Sequence, residues 1–340
     1  MPGVTQLIGL IIFAALAAGF YIAWNIGSND TANAMGTSVG ARVLSYRRAI
    51  SLLILFVVLG AALEGYKVMK PVGEDIVRGD ALSELPGVAG IAMLCAGLWV
   101  TLATRLGFPV STHQAIIGGL AGGGVAVSML TNITADVNWW KLFAIAMAWI
   151  VTPIGAAFFA IMFYKIFGTA LRRVKAPAKL DTIFAFAVVI SGCYVAYVMG
   201  ANDVGTAMGA VYAAGREQLT GNLVQQLALL GAVGVAVGSL TYSRRVMETV
   251  GTGITELGPM TAFVAQLGAA LTVHLFTQWG FPVSTSQAIV GGVIGAGLTK
   301  GMATVRRGKI AKIALMWMVT PTMAMIFTLA LTSLLIPLWV

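Results

Sequence analysis

Apolar positions along this chain come in long blocks divided by short polar stretches. Ten blocks can be drawn, at roughly 7–24, 49–65, 88–104, 109–130, 140–167, 182–200, 222–240, 259–277, 282–299 and 310–337. A helix crossing a hydrocarbon core of about 30 Å needs about 20 apolar residues, with about 17 as the lower end. The pattern therefore predicts an all-α polytopic membrane protein with about ten transmembrane or re-entrant helical segments. Segments 88–104 and 109–130, and likewise 259–277 and 282–299, are joined so closely that each pair reads either as two spans or as a re-entrant hairpin.

Composition supports this reading. Of 340 residues, 59% are hydrophobic and 10% charged, with mean hydropathy +0.91, whereas soluble domains carry about a quarter charged residues. The first block has no Lys or Arg before Arg42, so it lacks the positive leader of a signal peptide and is read as a retained span starting outside. Cys95 and Cys193 both fall in apolar runs and read as small packing residues. Two histidines make no metal-ligand cluster.

The net charge of +9 changes the picture only through its placement. With loops assigned alternately to two sides, 16 of the 21 basic residues fall on the side opposite the N-terminus. That bias is the positive-inside signal. It places both termini outside and the short basic linker 169–180 in the cytoplasm, and it argues against a nucleic-acid partner. The acidic loop Glu74, Asp75, Asp80 and Glu84 falls on the outer side as a solvated loop.

Two stretches recur at one common offset. Residues 107–119 read GFPVSTHQAIIGG and residues 280–292 read GFPVSTSQAIVGG, identical at 11 of 13 positions. Residues 27–36, GSNDTANAMG, return as GANDVGTAMG at 200–209, with the same spacing between copies. WIVTP at 149–153 returns as WMVTP at 317–321, and Val68-Met69…Val72-Gly73 as Val246-Met247…Val250-Gly251. The chain therefore reads as a duplication: membrane repeat 1 over 1–168, the linker, and membrane repeat 2 over 181–340. Five segments per half, or three if the close pairs are hairpins, is an odd number, so the second copy enters the membrane inverted, as in many secondary transporters.

Both recurring stretches carry chemistry. A carboxylate at the bilayer centre costs at least about 2.5–3.5 kcal/mol, so paired Asp30 and Asp203 need a purpose. The blander alternative, an interfacial N-cap, does not explain two equivalent copies framed by glycines. We read Asn29, Asp30, Asn33, Asn202 and Asp203 as cation-binding and coupling residues on locally unwound helices. In the other motif, Pro109 and Pro282 suit the first turn of a helix. Ser111, Thr112, Ser284 and Thr285 then sit at its positive end, where free N–H groups and hydroxyls favour an anion, and Gln114 and Gln287 can add amide donors. The glycines that follow are close-packing positions. His113 is matched by Ser286 in the other copy, which sets it outside a symmetric mechanism; His274 reads as a packing or interfacial residue without a partner.

The paired GxND and GFPVST stretches resemble the signature of the inorganic phosphate transporter (PiT) family, over nearly the whole chain. The resemblance implies a symporter of inorganic phosphate, coupled to Na⁺ or H⁺, with alternating access around one central site and no cofactor. It also implies a homodimer in the cell (plasma) membrane bilayer. A sulfate permease is the alternative within the family. The resemblance itself is the main ground for phosphate, and chemistry adds to it: phosphate can donate a proton to an acceptor such as Asp30 or Asp203 standing beside the anion, where sulfate can only accept. One departure stands out: in the second copy, Gly205 and Thr206 replace the Ala32-Asn33 of the first, which alters a cation ligand there. An intramembrane hydrolase using Ser111 and His113 is the rival from another class; it lacks the strand-turn-helix context of such enzymes, and no catalytic residue is assigned.

Overall fold

The computed structural model describes residues 2–40, 43–79, 81–106, 110–133, 135–171, 177–215, 222–244, 258–299 and 307–338. The described residues are almost entirely helical. The helices are α1 (Pro2–Gly40), α2 (Tyr46–Glu64), α3 (Tyr66–Glu74), α4 (Ala81–Glu84), α5 (Pro86–Arg105), α6 (Thr112–Leu130) and α7 (Trp139–Leu171), followed by α8 (Pro177–Met199), α9 (Gly205–Gly215), α10 (Leu223–Thr241), α11 (Pro259–Gln278), α12 (Thr285–Leu298) and α13 (Arg307–Leu335). A π-helical turn, Gly200–Val204, joins α8 to α9. Two short strands, β1 (Val77–Arg78) and β2 (Asp136–Val137), pair antiparallel beside the acidic loop. There Asp75 meets Lys141 at 2.8 Å. Asp80, the basic side chains of the linker, and the Val246–Gly251 echo lie outside the described residues.

Among the described residues, nine helical stretches are long and apolar enough to cross a membrane, one of them running from α8 through the π turn into α9. The remaining apolar block, the ninth in chain order, is α12, whose 14 residues span about 21 Å and fall short of a core of about 30 Å. The polytopic all-helical class is as the sequence predicts. Cys95 and Cys193 are buried and free.

Packing follows the recurrence seen in the sequence. Helix α1 lies against α5 and α10, and its counterpart α8 lies against α11 and α2. Helix α6 packs on α13, and α12 packs on α7. The buried seams between these helices are made close by glycine. A Cβ at Gly27 would fall on the Val235 carbonyl oxygen, and one at Gly200 on that of Val57. Likewise Gly60 abuts the Tyr197 carbonyl and Gly238 that of Trp24. Gly118 rests on the Pro321 carbonyl and Gly291 on that of Pro153, each proline lying inside a long helix. Small residues let helices approach to backbone contact, which replaces the hydrophobic drive that lipid removes. Ahead of those prolines, Thr152 and Thr320 donate back to the carbonyls of Ala148 and Met316 at 2.6 and 2.7 Å, so hydroxyls serve carbonyls near the place where proline removes a backbone donor.

Candidate functional site: two acids and two helix starts

The Asn29-Asp30 pair lies inside a continuous α1, which corrects the expectation of an unwound helix there. The reason is local. Ser28 and Thr31 hydroxyls donate to the carbonyls four residues back, Trp24 at 2.9 Å and Gly27 at 2.5 Å, and Gly27 is used for close packing. The second pair, Asn202-Asp203, sits in the π turn. Such a turn adds one residue to the helical circuit and re-aims side chains, a frequent device at functional sites. The Thr206 hydroxyl donates to the Asn202 carbonyl at 2.8 Å, so this carbonyl is satisfied too.

Both helix starts form, but Pro282 lies in the extended stretch ahead of the cap and not in the first turn of α12, because Ser284 already supplies the capping oxygen one residue before the helix begins. Ser111 caps α6 and Ser284 caps α12, each in extended conformation, accepting from the N–H of Gln114 at 3.5 Å and Gln287 at 3.3 Å. These long caps leave the remaining first-turn N–H groups directed ahead of the helix. Gly107, Phe108 and Pro109 lie outside the described residues, but the second break is complete. Helix α11 stops at Gln278, and Gly280 beyond it takes a left-handed φ of 71°. Phe281 N–H then reaches back to the Phe276 carbonyl and Gly280 N–H to that of Thr277, both at 3.0 Å, a Schellman closure that glycine permits.

Asn202 holds the extended stretch after that closure. Its amide donates to Thr277 Oγ1 at 2.8 Å and to the Phe281 carbonyl at 3.0 Å, and its Oδ1 accepts from Val283 N–H at 3.1 Å. Its counterpart Asn29 accepts from Thr104 Oγ1 at 3.1 Å, so the same two positions meet in the first half. Asn202→Ala is expected to leave two buried backbone groups unpaired, at about 1–3 kcal/mol each. Lowered thermal stability in detergent, together with faster labelling of a cysteine placed at position 283, would register it; unchanged values for both would show that the amide does not hold the break.

The first turn of α12 touches both acids. Thr285 Oγ1 donates to Asp203 Oδ2 at 2.9 Å, and Ser286 Oγ donates to Asp30 Oδ1 at 2.7 Å. Asn33, one helical turn beyond Asp30, donates to Asp30 Oδ1 at 3.1 Å and to Ser286 Oγ at 2.7 Å. Asp30 is 4% exposed and Asp203 0%. From the other helix start, His113 Nε2 approaches Asp203 Oδ1 to 3.2 Å. The approach is ion-pair close but not aligned as a hydrogen bond, so both atoms lack a well-directed partner. Ser111, Thr112, Gln114, Ser284, Thr285 and Gln287 are all buried, and Gln114 Oε1 and Gln287 Oε1 are acceptors with no donor among the described residues. Asn29 and Asn33 are half-buried.

His113 and Ser286 are the residues that sequence reasoning sets aside. They occupy equivalent places in the two GFPVST stretches, and each reaches a different acid: His113 meets Asp203 and Ser286 meets Asp30. His113 thus belongs to the site, and no hydrogen bond links it to Ser111 among the described residues. His274 is also partnered, contrary to expectation. Its Nδ1 meets Tyr194 Oη at 2.6 Å and its Nε2 meets Glu64 Oε2 at 3.0 Å. The equivalent pair in the first half is Tyr21 Oη with Thr101 Oγ1 at 2.6 Å, beside a pocket of about 40 Å³ lined by residues including Asn29, Thr104 and Arg105.

The model of the phosphate transporter family matches residues 26–179 and 168–328. A protein of Methanocaldococcus jannaschii, provisionally named a phosphate permease, is 33% identical over 92% of this chain and 93% of its own length. One of Pyrococcus abyssi with the same provisional name is 32% identical over 92% of this chain and 95% of its own. A solved structure described as a sodium-dependent phosphate transporter superposes with a TM-score of 0.87 at 25% identity, covering 97% of this chain and all of that one. With its paired breaks and paired acids, the chain belongs to the phosphate transporter family.

Proposed function

We propose that this protein carries inorganic phosphate across the cell membrane together with Na⁺, by alternating access between two inverted repeats, 1–168 and 181–340, joined by the basic segment 169–180. The observation that carries the reading is the contact of the α12 start with both acids through Thr285 and Ser286. A helix N-terminus attracts an oxyanion, yet two carboxylates beside it repel one, and in a buried site that repulsion is large. An anion therefore enters only with compensating positive charge. This is the physical content of symport here. Asp30, with Asn29 and Asn33, binds the cation, since hard cations take oxygen ligands. Ser111, Thr112, Ser284 and Thr285 hold the phosphate oxygens with the first-turn N–H groups, and Asn202 and Asp203 frame the second wall. The sodium-dependent description of the structural relative favours Na⁺ as the coupling ion.

The unpaired Gln114 Oε1 and Gln287 Oε1 favour phosphate over sulfate. A buried acceptor left without a donor costs about 1–3 kcal/mol; phosphate still carries protons at neutral pH and can supply one, whereas sulfate cannot. The chain reads as a homodimer with both termini outside. The test is uptake of labelled phosphate by proteoliposomes under separate Na⁺ and pH gradients. An inward Na⁺ gradient is expected to drive accumulation, excess sulfate to leave it unchanged, and Ser284→Ala to lower it about tenfold for one lost hydrogen bond of about 1.4 kcal/mol. Accumulation that ignores both gradients, or that sulfate abolishes, overturns the reading.

A further inference from the structure

The two acids stand at equivalent positions but in unequal surroundings. At Asp30, the groups drawn up are oxygen-bearing: Ser286 Oγ from α12 and the Asn33 amide from α1. Both act on Oδ1, and Oδ2 has no hydrogen bond among the described residues. The Asn33 nitrogen faces Asp30 and Ser286, which leaves its own oxygen available. Carboxylate, hydroxyl and amide oxygens are the donor set a hard monovalent cation takes.

At Asp203 each of these oxygens has been replaced or turned away. The counterpart of Ser286 is His113, and the imidazole nitrogen stands 3.2 Å from Oδ1, where the hydroxyl stands in the other half. The counterpart of Asn33 is Thr206, whose hydroxyl is turned back onto the Asn202 carbonyl at 2.8 Å. The second oxygen, Oδ2, is taken by Thr285 at 2.9 Å, and the neighbouring Asn202 Oδ1 by Val283 N–H at 3.1 Å. Nitrogen donors suit transition metals and suit hard cations poorly. No ring of free oxygens remains around Asp203 among the described residues.

We propose that this chain carries a single exchangeable cation site, at Asp30, Asn33 and Ser286, and that His113 permanently fills the equivalent place at Asp203. His113 is then a stoichiometry-determining residue: its ring occupies beside Asp203 the place that stays open to a cation beside Asp30. Thr206 in place of Asn and His113 in place of Ser are two separate departures that close the same site. This inference rests on the Na⁺-coupled reading above.

The test counts Na⁺ on the purified full-length protein by equilibrium binding of radiolabelled Na⁺ with inorganic phosphate present, alongside the steepness of phosphate uptake against Na⁺. The parent is expected to bind one Na⁺ per protomer, with a Hill coefficient near one. The double variant His113→Ser with Thr206→Asn rebuilds the oxygen set of the first half and is expected to bind two, with a steeper Na⁺ dependence. The reciprocal Ser286→His is expected to bind none. A parent that binds two overturns the inference, as does a folded double variant that still binds one. If the double variant fails to fold, the reciprocal variant decides: one Na⁺ retained by Ser286→His overturns the proposal. A parent that binds no Na⁺ and transports without it removes the Na⁺-coupled reading itself, a result distinct from a parent that is Na⁺-driven with the wrong count.

Discussion

Asp30→Asn is expected to lower Na⁺-driven phosphate uptake about 100-fold while leaving the protein folded. The substitution keeps the shape of the side chain but removes the charge that Ser286 and Asn33 are arranged around. Hydrogen bonds to a charged group contribute about 1.5–3 kcal/mol, and a loss of about 3 kcal/mol corresponds to about two decades in an equilibrium constant. The loss should emerge mostly as a higher Na⁺ requirement, because the hydroxyls proposed to hold phosphate are untouched. Thermal stability in detergent should stay near that of the parent, since removing a buried charge relieves desolvation as it removes bonds. A folded Asp30→Asn protein that transports at the parental rate would show that the cation binds elsewhere.

The second large effect concerns the framework. Gly60→Ala and Gly238→Ala are each expected to destabilise the fold, because the added carbon lands on a backbone carbonyl of the neighbouring helix, Tyr197 or Trp24. A clash with backbone cannot be relieved by a rotamer change, so the helices must separate. Overpacking costs about 1–3 kcal/mol or more, which predicts a melting temperature several degrees lower in detergent. Gly308→Ala is the control, since nothing lies within 4 Å of its added carbon. Equal stability of all three variants would mean that the seam between α1 and α10, and that between α2 and α8, is loose in solution.

Some of this is legible in the sequence, and the rest is hidden for identifiable reasons. The helical class follows from block length, and the two breaks follow from the repeated Pro-Val-Ser-Thr, because local chemistry alone specifies a capped helix start. Ser111 and Ser284 stand as the caps of α6 and α12, one place ahead of the first turn in which the sequence sets them. Unwinding at Gly27 does not occur, because a glycine in a membrane helix serves close approach as readily as flexibility, and only the neighbouring Val235 carbonyl decides between them. His113 escapes a comparison of the two copies residue against residue, which treats symmetry as though it required identity. Its partner Asp203 belongs to the other half of the chain, and the contact arises where the start of α6 meets the π turn. No periodicity reports that meeting. Thr206, by contrast, is visible in the sequence as a departure, and its hydroxyl is turned onto the Asn202 carbonyl.

The packing of α6 on α13, and of α12 on α7, also bears on how the protein is made. Helix α6 is complete by Leu130, yet the helix it rests on begins only at Arg307. During synthesis the glycine-lined face of α6, with its polar start, must wait in the translocon or the bilayer while more than half of the chain is still untranslated. The long sequence separation between partners makes such assembly slow. The order of events is thereby set late in synthesis: α6 finds its packing partner only when α13 has been made.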